Sequence, residues 1–172
     1  MKSEEFSPCR SKETTKPRVM CPDVTFYYCK NCSNLEFKVY TKSNYIPSCC
    51  GEHMKELSPN ISEDIKDRII IDYKIIGGYN SNAVKVYWDT KNSDLNIIFV
   101  YLKTFTGGQI KYLNSSKKSV IFALADEDAY VYCDENPCLE CTFRCKRGFE
   151  IYLFEEKMGL IKVPLDRMNS NW

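Results

Sequence analysis

The chain has 172 residues, of which 44% are hydrophobic and 27% are charged, and its formal net charge is +1. This composition is typical of a soluble globular protein, and the small net charge gives no field that would attract nucleic acid or an anionic membrane. No apolar stretch reaches the roughly 20 residues needed to cross a bilayer. From the small net charge and the lack of such a stretch, neither nucleic acid nor a membrane is expected as a partner.

The N-terminal segment 1–20 is polar and lacks the apolar core of a secretory signal, so it is predicted to be a flexible tail. Without an export signal, a cytoplasmic location is expected. In a reducing compartment the 10 cysteines of the chain favour metal binding over disulfides. They form two clusters, within 29–50 and within 133–145, whereas Cys9 and Cys21 stand apart without an assigned role.

The order of elements predicts a mostly β protein of two domains, 21–60 and 61–172. Segment 58–68 is polar and contains a proline, which is typical of a linker with one helical turn. From Ile69 onward, short apolar alternations between turn signals predict an antiparallel, immunoglobulin-like β-sandwich. The predicted strands are 68–76, 83–88, 96–105, 109–113, 119–125, 129–133, 149–156 and 160–163. In 83–88, the alternation places Val84, Val86 and Trp88 on one face. In 96–105, it places Ile98, Val100 and Leu102 on one face and Phe99 and Tyr101 on the other.

The first cysteine cluster has the form CxxC at 29–32 and CCG at 49–51. A CxxC turn directs two thiolates at one ion, and a second pair from a distant loop completes a tetrahedron that holds Zn²⁺ or a single iron. Adjacent cysteines cannot share a regular strand for this purpose, because successive side chains point to opposite faces. The chain must therefore bend after Cys49, and Gly51 supplies the freedom to do so.

The stretch "YYCKNCSNLEFKVYTKSNYIPSCCGEHM", residues 27–54, resembles the N-terminal domain of desulfoferrodoxins and desulforedoxins. That family has a tyrosine before CxxC, an alternating apolar run, and CCG followed by a methionine, which Tyr28, the run 35–40 and Met54 match. The resemblance implies a homodimer, an electron-transfer partner protein, and one rubredoxin-like iron bound by Cys29, Cys32, Cys49 and Cys50. Zinc stays open as the metal, because sulfur ligation alone does not separate the two. His53, the only histidine, is assigned to the surface because four sulfurs already complete a tetrahedron.

Residues 83–133 resemble the second domain of the same family, in which a cysteine and four histidines hold the superoxide reductase iron. Cys133 corresponds to that cysteine, but Leu95 or Asn96 stands at one histidine position, and Asp134–Pro137 replaces another histidine-bearing motif. A chain with 1 histidine cannot supply four imidazoles. We therefore assign no catalytic residues and expect no conventional superoxide reductase activity.

A second cysteine cluster occupies the loop that follows, with the spacing C-x4-C-x2-C-x3-C at Cys133, Cys138, Cys141 and Cys145. Part of this spacing is similar to plant-type ferredoxins, although the fourth ligand there lies far downstream. The cations Arg144, Lys146 and Arg147 would offset the negative charge of a thiolate-bound metal. A second metal, an iron–sulfur cluster, disulfides and free thiols all remain open for this loop.

Taken together, the cysteine motif and its resemblance to desulfoferrodoxins imply an iron-binding, one-electron transfer protein of that type, in the cytoplasm of an anaerobe. One alternative is an oxidoreductase that acts at a remodelled centre formed by the second cysteine cluster. The other is an interaction module with a structural zinc and no redox role.

Overall fold

The computed structural model describes residues 23–39, 44–60, 64–76, 82–91, 95–114, 116–129, 146 and 148–165. The predicted tail 1–20, with Cys9, and also Cys21 lie outside these ranges. The predicted mostly β fold, a small cysteine-bearing unit followed by an antiparallel β-sandwich, is confirmed. The domain boundaries at residues 21 and 61 stay predictions.

The first unit is a three-stranded sheet in the order β2-β1-β5, with a two-stranded hairpin of β3 and β4 beside it. Its strands are β1 (Val24–Tyr28), β2 (Leu35–Val39), β3 (Ser48–Cys49), β4 (Glu52–His53) and β5 (Lys55–Leu57). Because side chains alternate along a strand, Phe26 and Tyr28 face the sandwich. Tyr27 and Cys29 point the other way and pack with Met54. The central strand thus separates the cysteine site from the interface with the sandwich.

Two antiparallel sheets build the sandwich, in the orders β10-β7-β6 and β12-β11-β8-β9. Its elements are α1 (Asp64–Arg68), β6 (Ile69–Ile76), β7 (Ala83–Thr90), β8 (Ile97–Lys103), β9 (Gly108–Tyr112), β10 (Ser119–Ala123), a 3-10 helix (Asp126–Ala129), β11 (Glu150–Glu155) and β12 (Gly159–Pro164). In the parts of the chain that the structure describes, no helix is long and apolar enough to cross a membrane.

The sandwich core lies between the inner faces of these sheets. Val84, Val86 and Trp88 alternate inward from β7, as their spacing predicts, and meet Val100 and Leu102 from β8. Fully burying each such side chain stabilises the fold by about 1.5–3 kcal/mol before ordering costs. The period-2 pattern therefore identified this core correctly along β7.

The inner face of β8 differs from the sequence prediction at one residue. Phe154 of β11 pairs with Phe99, whereas Glu155 pairs with Ile97, so Ile98 is the extra residue of a β-bulge. The bulge reverses the alternation, and it is Ile97 that enters the sandwich core while Ile98 packs on the opposite side. The expectation that Ile98 shares a face with Val100 and Leu102 was wrong for this reason.

The outer face of the β12-β11-β8-β9 sheet is covered by the first unit. Phe26 lies with its ring centroid 5.4 Å from Phe99, 5.5 Å from Tyr101 and 5.6 Å from Tyr152. Such aromatic pairs add about 0.5–1.5 kcal/mol each beyond the burial of their area. We call Phe26, Phe99, Tyr101, Tyr152 and Phe154 the aromatic layer; it fixes the first unit against the sandwich.

The predicted strand 129–133 differs at its start, because Ala129 ends the 3-10 helix and the residues after it lie outside the described ranges. The carbonyl of Ala129 accepts hydrogen bonds from Lys146 Nζ at 2.6 Å and from Asn82 Nδ2 at 2.9 Å. Lys146, predicted as a cation for the second cysteine loop, is buried, with 1% of its surface exposed.

Candidate metal centre

The four cysteines of the first cluster meet at one point of the structure. The Sγ atoms of Cys29, Cys32, Cys49 and Cys50 all lie within 4.8 Å of one another. The Cys32–Cys49 distance is 3.4 Å and the Cys49–Cys50 distance is 3.9 Å. Metal–sulfur bonds of about 2.3 Å in a tetrahedron require sulfur–sulfur separations of about 3.8 Å. This donor set therefore fits a single Zn²⁺ or iron ion.

The CxxC loop begins where β1 ends. Ser33 N donates a hydrogen bond to the carbonyl of Cys29, and Cys29 N donates to the carbonyl of Asn34, both at 2.9 Å. Ser33 adopts a left-handed backbone with φ of 59°. These features close the chain into a tight turn, so that Cys29 and Cys32 approach the same point.

The doubled cysteine lies in the hairpin that joins β3 to β4. Cys49 pairs with Glu52, which leaves Cys50 and Gly51 as a two-residue turn. Their φ angles are 52° and 81°, and hairpin turns of type I′ require positive φ at both central positions. The predicted bend is therefore present, but Cys50 itself shares the left-handed geometry with Gly51. This turn places two consecutive sulfurs on the same side.

The four cysteines differ in how far they are exposed. Cys29 is buried and Cys49 is intermediate, whereas Cys32 and Cys50 are exposed. Tyr27 and Met54 cover the buried side of the site. The site is thus apolar on its inner side and has two exposed cysteines on its outer side.

Hydrogen bonds set the acidity of these thiols in opposite directions. Backbone N–H groups, chiefly that of Cys32, lower the pKa of Cys29 to about 7, against an opposing effect of desolvation. The pKa of Cys50 is raised to about 12, first by its contact with Cys32 and then by Cys49 and Cys29. Contacts with Cys32 and Cys29 also raise the pKa of Cys49, so a thiolate is favoured at Cys29 over Cys49 and Cys50.

Polar residues surround the four sulfurs. Asn34 Nδ2 lies 3.9 Å from Cys49 Sγ as a donor. His53 is exposed, and its Nδ1 lies 3.0 Å from Ser48 Oγ. The hydroxyl of Tyr28, which directly precedes Cys29, donates to Glu156 Oε1 at 2.5 Å. Sequence reasoning missed Asn34 and Glu156; Glu156 is 128 positions from Tyr28 and carries no local signal.

The second predicted site, Cys133, Cys138, Cys141 and Cys145, lies outside the described residues. Binding of a metal or a cluster by these cysteines stays a prediction. The structure describes a residue on each side of this cluster, Ala129 before it and Lys146 after it. Lys146 Nζ donates a hydrogen bond of 2.6 Å to the carbonyl of Ala129.

Comparison with known proteins bears on the fold. No protein-family profile and no curated protein matches the sequence. Eight chains of solved structures do match. Among them, the superoxide reductase from Treponema pallidum superposes with a TM-score of 0.54 and 19% identity, over 82% of this chain and 97% of that chain. At this identity the likeness establishes a shared fold, which agrees with the family resemblance of residues 27–54 and 83–133.

Proposed function

We propose that the protein is a non-haem iron redox protein of the desulfoferrodoxin type that transfers single electrons. The observation that carries the proposal is the convergence of four cysteine sulfurs within 4.8 Å. Iron held by four thiolates supplies a one-electron couple between its ferric and ferrous forms. Cys29, Cys32, Cys49 and Cys50 are the residues that would hold it.

Iron is preferred to zinc in this proposal for two reasons. The fold is shared with a protein described as a superoxide reductase, and the cysteine pattern resembles that of desulfoferrodoxins. Conventional superoxide reductase activity is not part of the proposal, because 1 histidine in the chain cannot replace four imidazole ligands. The proposed activity is therefore electron transfer at the site formed by the four cysteines of the first cluster.

The exposed sulfurs indicate how an electron would enter or leave. Cys32 and Cys50 reach the surface, while Tyr27 and Met54 shield the opposite side. A partner protein can therefore approach the site on the side of these two exposed cysteines. We propose a redox protein as that partner, a homodimer as the assembly, and the cytoplasm as the location.

Metal analysis and a visible spectrum of anaerobically purified protein test this proposal. A red protein with one iron per chain, bleached by reduction and restored by oxidation, supports it. A colourless protein with stoichiometric zinc contradicts electron transfer and favours the structural-zinc alternative. A further, oxygen-sensitive chromophore that survives Cys50→Ser would indicate a second centre and favour the oxidoreductase alternative.

A further inference from the structure

The turn between β11 and β12 contacts the metal-binding loop on both sides of its CxxC motif. Glu156 Oε1 accepts a hydrogen bond from the Tyr28 hydroxyl at 2.5 Å and lies 3.4 Å from the donor Ser33 Oγ. Tyr28 Oη and Ser33 Oγ are themselves 3.0 Å apart. Tyr28 directly precedes Cys29 and Ser33 directly follows Cys32, so one carboxylate of the sandwich holds both ends of the loop.

A buried side chain holds the backbone of this turn. The neighbouring carboxylate of Glu155 is buried, with 2% of its surface exposed. Its Oε2 accepts backbone hydrogen bonds from Lys157 at 2.7 Å and Met158 at 2.8 Å. Glu156 is therefore presented from a turn whose backbone is fixed by the residue before it.

The same hairpin also holds the segment that leaves the first unit. Asn60 N donates to the carbonyl of Leu160 at 2.7 Å, and Asn60 Nδ2 donates to the carbonyl of Met158 at 3.0 Å. On the other side, the ring of Tyr28 packs on Phe154, with centroids 5.2 Å apart. The β11–β12 hairpin thus contacts the first unit both at the metal-binding loop and at its exit.

We propose that Glu156 is a positioning residue that couples metal binding at the four cysteines to the stability of the β-sandwich. The proposal rests on the proposed function in so far as a metal binds there. Because coupling between two equilibria is reciprocal, a metal that orders the CxxC loop stabilises the sandwich through Glu156. The factor by which the metal stabilises the sandwich through Glu156 is also the factor by which metal affinity should fall when Glu156 is removed.

Cobalt affinity measures one direction of this coupling. The reduced full-length protein is titrated with Co²⁺ under anaerobic conditions against a competing chelator, and the sulfur-to-cobalt charge-transfer absorption is followed. The Cys32→Ser variant lacks the first site but keeps the second cysteine cluster. Its absorption therefore measures any cobalt bound by the second cluster and is subtracted from that of the other proteins. Loss of a net hydrogen bond predicts a Kd about three- to tenfold higher in Glu156→Ala. Glu156→Gln keeps an acceptor oxygen and should recover most of the affinity, which a change in general stability would not produce.

Thermal unfolding measures the other direction. Trp88 is buried in the sandwich core with 4% exposure. The chain has 2 tryptophans, so a Trp172→Phe background leaves Trp88 as the only source of tryptophan fluorescence. Co²⁺ should raise the Trp88 unfolding midpoint by about 3 °C or more in the parent protein, and by less than half of that shift in Glu156→Ala. Glu56→Ala removes an exposed carboxylate of β5 in the same unit and is the matched control, with unchanged affinity and shift.

The outcomes separate this inference from the proposed function. Parent-like affinity and a parent-like metal-induced shift in Glu156→Ala overturn the inference alone. Absence of Co²⁺ binding by the parent protein overturns the proposed function and the inference together. If Glu156→Ala does not fold, Tyr28→Phe takes its place, because it removes the hydroxyl but keeps the ring against Phe154; unchanged affinity in that variant overturns the coupling.

Discussion

Cys32 Sγ and Cys49 Sγ lie 3.4 Å apart although 17 positions separate them in the chain. The distance is well beyond a disulfide bond of about 2.05 Å and is in the range that neighbouring ligands of one metal adopt. Cys32 belongs to the turn after β1, whereas Cys49 belongs to the β3–β4 hairpin. The site therefore forms only when both turns are folded, and metal binding should stabilise the two together.

Loss of one sulfur should abolish binding at this site. Replacing Cys50 by Ser removes one exposed cysteine of the cluster and leaves the buried Cys29 in place. We expect the affinity for iron or Co²⁺ to fall by more than about 100-fold, since even changes beyond the ligands cost about 10- to 100-fold. Metal content and chelator competition are the measurements. Cys141→Ser, in the second cluster, is the control and should leave the first site intact; equal loss in both variants would contradict independent sites.

The left-handed turn after Cys49 should not tolerate a side chain at Gly51. Gly51 has φ of 81°, and a Cβ added there would meet no atom within 4 Å, so the cost comes from the backbone alone. Gly51→Ala should lower the free energy of unfolding by about 1–2 kcal/mol and should weaken metal binding. Urea denaturation checks the first effect and Co²⁺ titration the second.

Gly107→Ala is the matched control for this change. A Cβ at Gly107 also meets no atom within 4 Å, but no left-handed backbone is found there. The free energy of unfolding should change by no more than about 0.5 kcal/mol. Equal effects of the two substitutions would show that backbone handedness at Gly51 is not the cause.

The aromatic layer should contribute strongly to stability through Phe26. This side chain is 1% exposed and contacts rings from both β8 and β11. Phe26→Ala should cost about 3–5 kcal/mol, because it removes the buried ring and leaves a cavity between the first unit and the sandwich. Phe37, from the same sheet, is 44% exposed, and Phe37→Ala should cost about 1 kcal/mol or less. Urea unfolding of both variants makes the comparison, and similar losses would count against a closely packed interface.

Lowering the pH should weaken the contacts of Glu150, which lies next to the aromatic layer and accepts a hydrogen bond from Tyr152 of that layer. Burial raises the pKa of this carboxyl, but hydrogen bonds from Lys162 and Tyr152 and the charges of Lys162 and Lys103 outweigh it, so the pKa lies below its ordinary value of 4.5. A lowered folded-state pKa contributes stability above the ordinary value, and that stability is lost as the pH falls through the folded-state pKa.

Urea midpoints between pH 7 and pH 3 test this dependence. Glu150→Gln should be less stable than the parent at neutral pH by about 1–3 kcal/mol, because it loses charge-assisted hydrogen bonds to Lys162 and Tyr152. Below pH 4.5 the difference should shrink, since the parent carboxyl becomes neutral as well. A difference that stays constant over this range would exclude Glu150 as the titrating group.

Prediction from the sequence succeeded where a local pattern carries the physical cause. The alternation along β7 identified Val84, Val86 and Trp88 as core residues, because one face of a strand must be buried. It failed at Ile98, where a bulge changes the register without any glycine or proline to announce it. It also missed Glu156, because an exposed carboxylate in a turn looks the same whether or not a distant tyrosine reaches it.

By itself the sequence determined the mostly β character of the fold, the bend required between Cys49 and Gly51, and the absence of enough histidines for a conventional superoxide reductase iron site. These conclusions follow from the alternation of apolar residues, the backbone sterics of adjacent residues and the number of possible ligands, all of which can be read directly from the sequence. The family resemblance predicted that the sulfurs of Cys32 and Cys49 meet, and the structure places them 3.4 Å apart. Only the tertiary structure decided that Phe26 covers the outer sheet and that Glu156 contacts the CxxC loop. Each of these joins residues far apart in the chain, and such contacts are set by how whole sheets pack, which no local pattern contains.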